Sequence, residues 1–429
     1  MNKNMRKTLI TIFFLALAAV PLSAKTLPKV FADPLLQNLI TEALEANSDL
    51  RTAQLAVEQS EALLKNARLA YLPSFSLAPS ATFSQAQGQR ASWTYELPVK
   101  MGWEFNLGGK QHFQKEMANF QRLQNQAQLK AMQVLLVAEV ANAYYTLIML
   151  DRQLEISRQA LQNQQENVEV FMALKEVGQQ TEAAVNQAEA SCQGVAASIP
   201  MLESQIRQAE TALCRLLNRQ AGEVERATWE TVGGIALEDI DNVPLECLAS
   251  RPDVLAAEYG LRAAGSHVDV ARADFYPTFS ISGSAGWTND KGITINPMEL
   301  LLNAIGSLVQ PIFAQGSLKA NLKVAQSQQQ QAQIAFEKAL LVAGGEVRDA
   351  LALRDACVQR ETARSLQVEA SRKAYENSRE LMRHSSNVTY LEVLTAQSAL
   401  LEAQLQQTAD WLEKQQSMIG VYKATCLEK

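Results

Sequence analysis

Three histidines and five cysteines are the side chains with which this chain could ligate a metal, build a nucleophile or close a disulfide. His112, His267 and His384 stand alone, while Cys192, Cys214, Cys247, Cys357 and Cys426 are odd in number and widely spaced. Metal and thiol chemistry need ligands at short spacings, such as Cys-x-x-Cys or two histidines on one helix face, and the chain has neither. The cysteines read as small buried hydrophobes. Acyl transfer needs a nucleophile on a tight elbow beside a base; no Gly-x-Ser-x-Gly occurs, and serine and histidine meet only inside repetitive helical stretches. The methionines (Met101, Met117, Met132, Met149, Met172, Met201, Met298, Met382, Met418) are scattered and read as helix packing. No enzyme, cofactor or metal is expected.

The informative residues are ordered by face instead. From Ser92 to Leu107, alternate positions give Trp93, Tyr95, Leu97, Val99, Met101, Trp103, Phe105 and Leu107 against Ser92, Thr94, Glu96, Pro98, Lys100, Gly102, Glu104 and Asn106. Strand side chains alternate between the two faces of a sheet, so this is a ribbon with one apolar and one polar face. Its unbroken register, the aromatics near both ends and the long polar helices that follow favour lipid over a soluble core. A membrane strand needs only about 9–11 residues, with aromatic girdles at the interfaces.

Residues 1–24 read as a secretory leader: Lys3, Arg6 and Lys7 precede the apolar run Leu9 to Val20, and Leu22-Ser23-Ala24 offers a cleavage site. Losing those three positive charges takes the formal charge from −6 to −9, which with the absence of basic runs excludes nucleic acid as a partner. No later stretch approaches eighteen uncharged apolar residues, so helical membrane spans are not expected.

Asp33-Pro34 opens an amphipathic helix to about Ala70, stopped by Pro73. Ser74 to Ser84 then alternates, with Phe75, Leu77 and Phe83 opposite serines and Thr82, and Gln85 to Ala91 forms a polar turn into the Ser92 ribbon. From Lys110 to Val177 neither glycine nor proline occurs, which predicts a helix of about 100 Å at ~1.5 Å per residue. Gly178 interrupts it. Thr181 starts a return helix whose Val185, Ala188, Cys192, Val195, Ile199, Leu202, Ile206, Ala209, Leu213 and Leu216 recur as in a coiled coil. The plan then repeats: Pro252 to Ala273 helical, Pro277, an alternating Thr278 to Trp287, a loop to about Leu302, a shorter strand to Phe313, and helices from Ser317 to Thr425. Phe105 and Phe313, Gly108 and Gly316, Thr181 and Thr389, and Val185 and Val393 are each 208 residues apart, which marks an internal duplication. In the last helix Leu391, Leu394, Ser398, Leu401 and Leu405 trace one seam and Val393, Ala396, Leu400 and Ala403 a second, as a helix with neighbours on both sides requires.

Four membrane strands cannot close a barrel, and an open edge in hydrocarbon leaves backbone groups unpaired. The chain must pool strands with copies of itself; three copies give twelve, enough to leave a channel. The small hydroxylated residues facing its lumen (Ser76, Ser80, Thr82, Thr94, Ser280, Ser282) suit a wide, weakly selective pore.

Arg251-Pro252-Asp253-Val254, Leu261-Arg262-Ala263-Ala264 and Val270 to Pro277 (VARADFYP) resemble the signature of TolC-type outer-membrane efflux proteins of the OprM/NodT branch. Phe31-Ala32-Asp33-Pro34-Leu35, Asn47 to Arg51, Gln310 to Gly316 and Tyr390 to Gln397 resemble it too, in family order over nearly the whole mature chain. The resemblance implies an α+β membrane protein: a homotrimer with a twelve-stranded outer-membrane β-barrel, four strands per chain, continued by a twelve-helix tunnel across the periplasm. It implies an outer-membrane duct that docks with a periplasmic adaptor and an inner-membrane RND-type pump to expel drugs, detergents or metals. On this reading 25–222 is the first repeat, with its hairpin at 74–107. Residues 223–250 are a linker in the equatorial region, and 251–429 are the second repeat, with its hairpin at 278–313. Phe75, Phe83, Trp93, Tyr95, Trp103, Phe105, Phe279 and Trp287 would face outer-membrane lipid. Gly178, Ser385 and Ser386 would lie at the hairpin tips. Two departures stand out. Lys25 occupies the place where relatives carry a lipid-modified cysteine, so no acyl anchor is expected. The periplasmic gate often reads Leu-Asp-Ala-x-Arg, but here Leu394-Thr395-Ala396-Gln397-Ser398 lacks the acid and the arginine; Leu391, Glu392 and Thr395 are the nearest gate candidates. A duct for type I protein secretion and a secreted coiled-coil adhesin or scaffold are the alternatives.

Overall fold

Asp33 starts the first helix: its Oδ1 accepts the Leu35 amide at 2.9 Å, and Pro34 sits in the first turn of α1 (Pro34–Ala46). In the computed structural model, which describes residues 30–85, 92–235, 245–288, 300–384 and 390–425, this helix stops earlier than the sequence suggests. Asn47 is extended (φ −61°, ψ 128°) and its side-chain amide donates to the Leu216 carbonyl at 2.9 Å. A new helix, α2 (Ser48–Leu69), begins after it. The expected single helix is two, because a tertiary anchor displaces one helical residue.

The sheet follows Pro73. Strands β1 (Ser74–Leu77) and β2 (Ser80–Ser84) lie end to end along one side of β3 (Ser92–Asn106). Pro79 interrupts them, since it has no N–H to donate, and the Ala78 amide bonds to the Pro98 carbonyl at 3.1 Å. The other side of β3 pairs antiparallel with β4 (Thr278–Thr288), which pairs with β5 (Leu300–Val309). The result is a sheet four ribbons wide, with β1/β2 at one edge and β5 at the other. The β3–β4 ladder joins segments predicted to lie in different repeats. Near its Glu96–Thr288 end, Gly286 lies opposite Pro98, and a Cβ there would stand 2.5 Å from the Leu97 carbonyl oxygen. The second hairpin ends at Val309 and not at Phe313. Pro311 has no ladder donor, and Gln315 and Gly316, both with positive φ, turn the chain into the next helix.

Four helices make the paired rods. α3 (Lys110–Glu176) and α4 (Glu182–Leu216) form the first hairpin; after the short α5 (Leu245–Ser250) and α6 (Pro252–Ala273), α7 (Ser317–His384) and α8 (Tyr390–Thr425) form the second. Arg251, nearly fully buried, holds the Asp253 carboxylate with two bonds of 2.7 and 3.0 Å at the start of α6. Burial opposes ionisation of Asp253, but the guanidinium wins and draws its pKa below the ordinary value. One stretch of α3 is long and apolar enough to cross a membrane by length and composition, contrary to expectation, and 61% of that stretch is buried inside the protein. Its Tyr144, Tyr145, Leu147 and Ile148 are among the most buried side chains, so it serves as core.

The described residues divide into two compact units, those within 1–48, 133–247 and 344–429 in one and those within 49–132 and 248–343 in the other. Each draws on both predicted repeats, and the sheet lies wholly in the second.

Candidate functional site

In the sheet, register settles which residues share a face. Phe83 pairs with Trp93, Phe75 with Met101, Trp287 with Leu97, Ile281 with Trp103 and Phe279 with Phe105. All eight aromatics singled out from the sequence therefore stand on one face, together with Leu77, Leu97, Val99, Leu302 and Leu308. That face is bare: Phe75 is 68% exposed and Trp93 50%. The rings gather at two levels. Phe83 and Trp93 are 5.1 Å apart with Tyr95 stacked beyond, while Trp103 and Phe105 are 4.2 Å apart with Phe279 beside them. Ten residues separate the centres of the two levels, about 33 Å along the strand. At a tilt of ~40° this is about 25 Å along a membrane normal, the height of a barrel's apolar band.

The opposite face carries Ser74, Ser76, Ser80, Thr82, Thr94, Thr278, Ser280, Ser282, Ser284 and Ser307, with Ser280 and Ser307 hydroxyls 2.7 Å apart. β5 departs from this division. Its Ile305 and Val309 stand exposed on the hydroxylated face. β5 starts at Leu300, earlier than expected, because the run Leu300-Leu301-Leu302 shows no alternation to mark it.

The other site lies where the helical hairpins turn, in the first unit. Gly178 takes a positive φ of 73°, allowing its amide and that of Gln179 to bond back to Lys175 and Leu174 carbonyls at 2.9 and 2.8 Å. Thr181 caps α4 by accepting the Ala184 amide, and Lys175 pairs with Glu182 across the turn. Ser385 and Ser386 lie outside the described residues. Below the Gly178 turn, Phe171 of α3, Val185 and Ala188 of α4 and Leu394 of α8 form a buried cluster, with Tyr390 edge-on to Phe171 at 6.2 Å. Leu391, Glu392 and Thr395 share the exposed side of α8, Leu391 being 55% exposed, while Val393, Leu394 and Gln397 are buried. Only Leu394 of the first predicted seam is buried down to Ser398; Leu391 and Ser398 are exposed.

Gln397 is the residue that pattern reading passed over. It is 6% exposed, and its Oε1 accepts a 2.8 Å hydrogen bond from Nδ2 of Asn167, itself 5% exposed. A second neutral bond, Gln153 to Thr408 at 3.0 Å, ties the same two helices farther along. Charge between α7 and α8 sits elsewhere: Arg364 donates to the buried Asp410 at 2.7 Å, Arg360 bonds Glu413, and Lys414 meets Glu361.

The 221–235 segment, where the equatorial region was expected, is pinned to α3 and α4. Arg226 bonds Asp151 at 2.5 and 2.9 Å and Glu210 at 2.6 Å, and the Asp151 bond outweighs burial in raising its pKa. Tyr144 donates to Asp33 at 2.6 Å and accepts the Ala227 amide at 3.0 Å. Burial, then the Asp33 bond, pushes the Tyr144 phenol far above its ordinary value; burial does the same for Tyr145. Among the described residues no three metal-ligating side chains gather, and Cys192, Cys214 and Cys357 are separate buried thiols. His267 lines a groove with Met117, Gln121 and Gln124. The arrangement holds a two-faced sheet and a latched helical turn.

The family model described as outer membrane efflux protein matches residues 39–219 and 243–426. The cation efflux system protein CusC of Escherichia coli strain K12 is 29% identical over 86% of this chain and 81% of its own. The antibiotic efflux pump outer membrane protein ArpC of Pseudomonas putida is 28% identical over 92% and 83%. Among solved structures, the outer-membrane channel OprN is 27% identical with a TM-score of 0.86 over 92% of this chain and 91% of that one.

Proposed function

The chain belongs to the outer membrane efflux protein family, and from that premise we propose that three copies assemble into one transmembrane duct. It is an outer-membrane channel of a tripartite efflux system. The observation that carries the assembly is the sheet: one bare aromatic face, one hydroxylated face, and two edges with no ladder partner among the described residues. In hydrocarbon an unpaired edge is not tolerated, so β5 of one copy takes β1/β2 of the next, and the ring closes at twelve ribbons. Phe75, Phe83, Trp93, Tyr95, Trp103, Phe105, Phe279 and Trp287 then contact lipid, and the serine and threonine face lines water.

The repeats 25–222 and 251–429 supply two ribbons and one helical hairpin each, and the helices of three copies enclose a periplasmic tunnel. A periplasmic adaptor and an inner-membrane RND-type pump deliver the cargo. Leu391, Glu392 and Thr395 present the exposed side of α8 to the tunnel as its constriction, and the uncharged Asn167–Gln397 bond holds the hairpins together. Gly178, Ser385 and Ser386 are the tips. The named cargoes of the relatives are as unlike as cations, antibiotics and pyoverdine at similar identity. Small molecules in general are accordingly the cargo class.

Purified protein added to planar bilayers tests the reading. Discrete conductance from a species that runs as a heat-modifiable trimer in outer-membrane fractions is expected; a soluble monomer without conductance overturns it.

A further inference from the structure

We propose that Glu96, Lys100 and Glu104 on β3 set the charge preference of the barrel part of the duct, in series with the Glu392 level at the tunnel constriction. They are the only charged residues in the described strands. All three are exposed, lie on the hydroxylated face and recur every fourth residue of one strand. The placement rests on the proposal above that this face lines the lumen.

Their surroundings leave them uncompensated. Lys100 lies between Ser76 and Ser284, Glu96 between Ser80 and Thr288, and Glu104 beside Ser280. Among the described residues the only side-chain bond to either carboxylate or to the ammonium is a long one, 3.4 Å, from the Ser80 hydroxyl to Glu96. No ion pair among the described residues includes them. Four strand residues span about 13 Å, too far for Lys100 to neutralise either acid along β3. Charges held for folding would be paired, as Asp410 and Arg226 are elsewhere in this chain. Three copies would stack a level of three carboxylates, a level of three ammonium groups and a second level of three carboxylates along an otherwise neutral wall. Rings of acids favour cations in a wide pore, and a ring of lysines offers anionic groups a local stop. The net excess is one negative charge per copy. The duct therefore favours cations over anions, and it favours zwitterionic or cationic amphiphiles among organic solutes.

Reversal potentials across planar bilayers under a potassium chloride gradient test this with the intact protein. The native channel is expected to prefer potassium. Glu96→Gln with Glu104→Gln should lower the cation-to-anion permeability ratio by about twofold or more for each level removed, and Lys100→Gln should raise it. The two Glu→Gln changes are isosteric and Lys100→Gln leaves a flexible polar side chain, all at exposed positions, and heat-modifiable trimer on a gel verifies folding. Channels that conduct normally but keep one permeability ratio through all the variants overturn this inference and leave the duct intact. A native protein that never conducts overturns the duct and the inference with it.

Discussion

Replacing Gln397 by leucine removes the acceptor of the Asn167 amide while keeping a side chain of similar volume. Both partners are about 95% buried and 2.8 Å apart, so water does not readily replace the lost bond. A buried donor left without an acceptor costs about 1–3 kcal/mol. If opening separates α3 from α8 and wets Asn167, the cost falls on the closed state alone. The closed-to-open ratio then drops about 5- to 150-fold. Single-channel recording of Gln397→Leu should show a raised open fraction. Adding Asn167→Leu should return it toward native, because replacing both partners by apolar groups is nearly neutral. The latch is uncharged, so the native open fraction should also hold steady between about 0.1 and 1 M salt, where the screening length shrinks from ~10 to ~3 Å. An unchanged open fraction in Gln397→Leu, or a double variant as leaky as the single one, would refute the latch. A steep salt dependence of the native channel would instead point to the ion pairs around Asp410.

Two further outcomes follow from packing and titration. Gly286→Val drives a branched side chain into the Pro98 backbone of β3, so the β3–β4 ladder should weaken by about 1–3 kcal/mol or more and the assembled form should melt at a lower temperature on gels. Tyr144 and Tyr145 have pKa values raised on folding, so their protonated forms add stability that is present below pH ~10 and lost as pH climbs above it. Thermal melts should be flat from neutral pH to about 9.5 and fall steeply above 10. Tyr144→Phe with Tyr145→Phe should flatten that fall, and an unaltered slope would place the alkaline weakness elsewhere.

Much of this architecture is legible in the residues. The alternation of Ser92 to Leu107 places a strand with two unlike faces, because the period-two rule acts within a single segment. Gly178, Thr181, Pro73 and Pro277 mark the ends of elements for equally local reasons: a positive φ, a side-chain cap, a missing N–H. The duplication shows in the 208-residue offset, and it predicts that each half repeats one plan. What no local rule supplies is the choice of partner. β3 lies beside β4 of the other half, Asn47 breaks a promising helix to reach Leu216, and β5 begins with an apolar run that shows no alternation. Gln397, polar and unremarkable in its helix, acquires its part only because Asn167, 230 positions away, is buried against it. Periodicity is written between neighbours a few residues apart, whereas burial and hydrogen-bond partners are set by which distant segments the folded chain brings into contact.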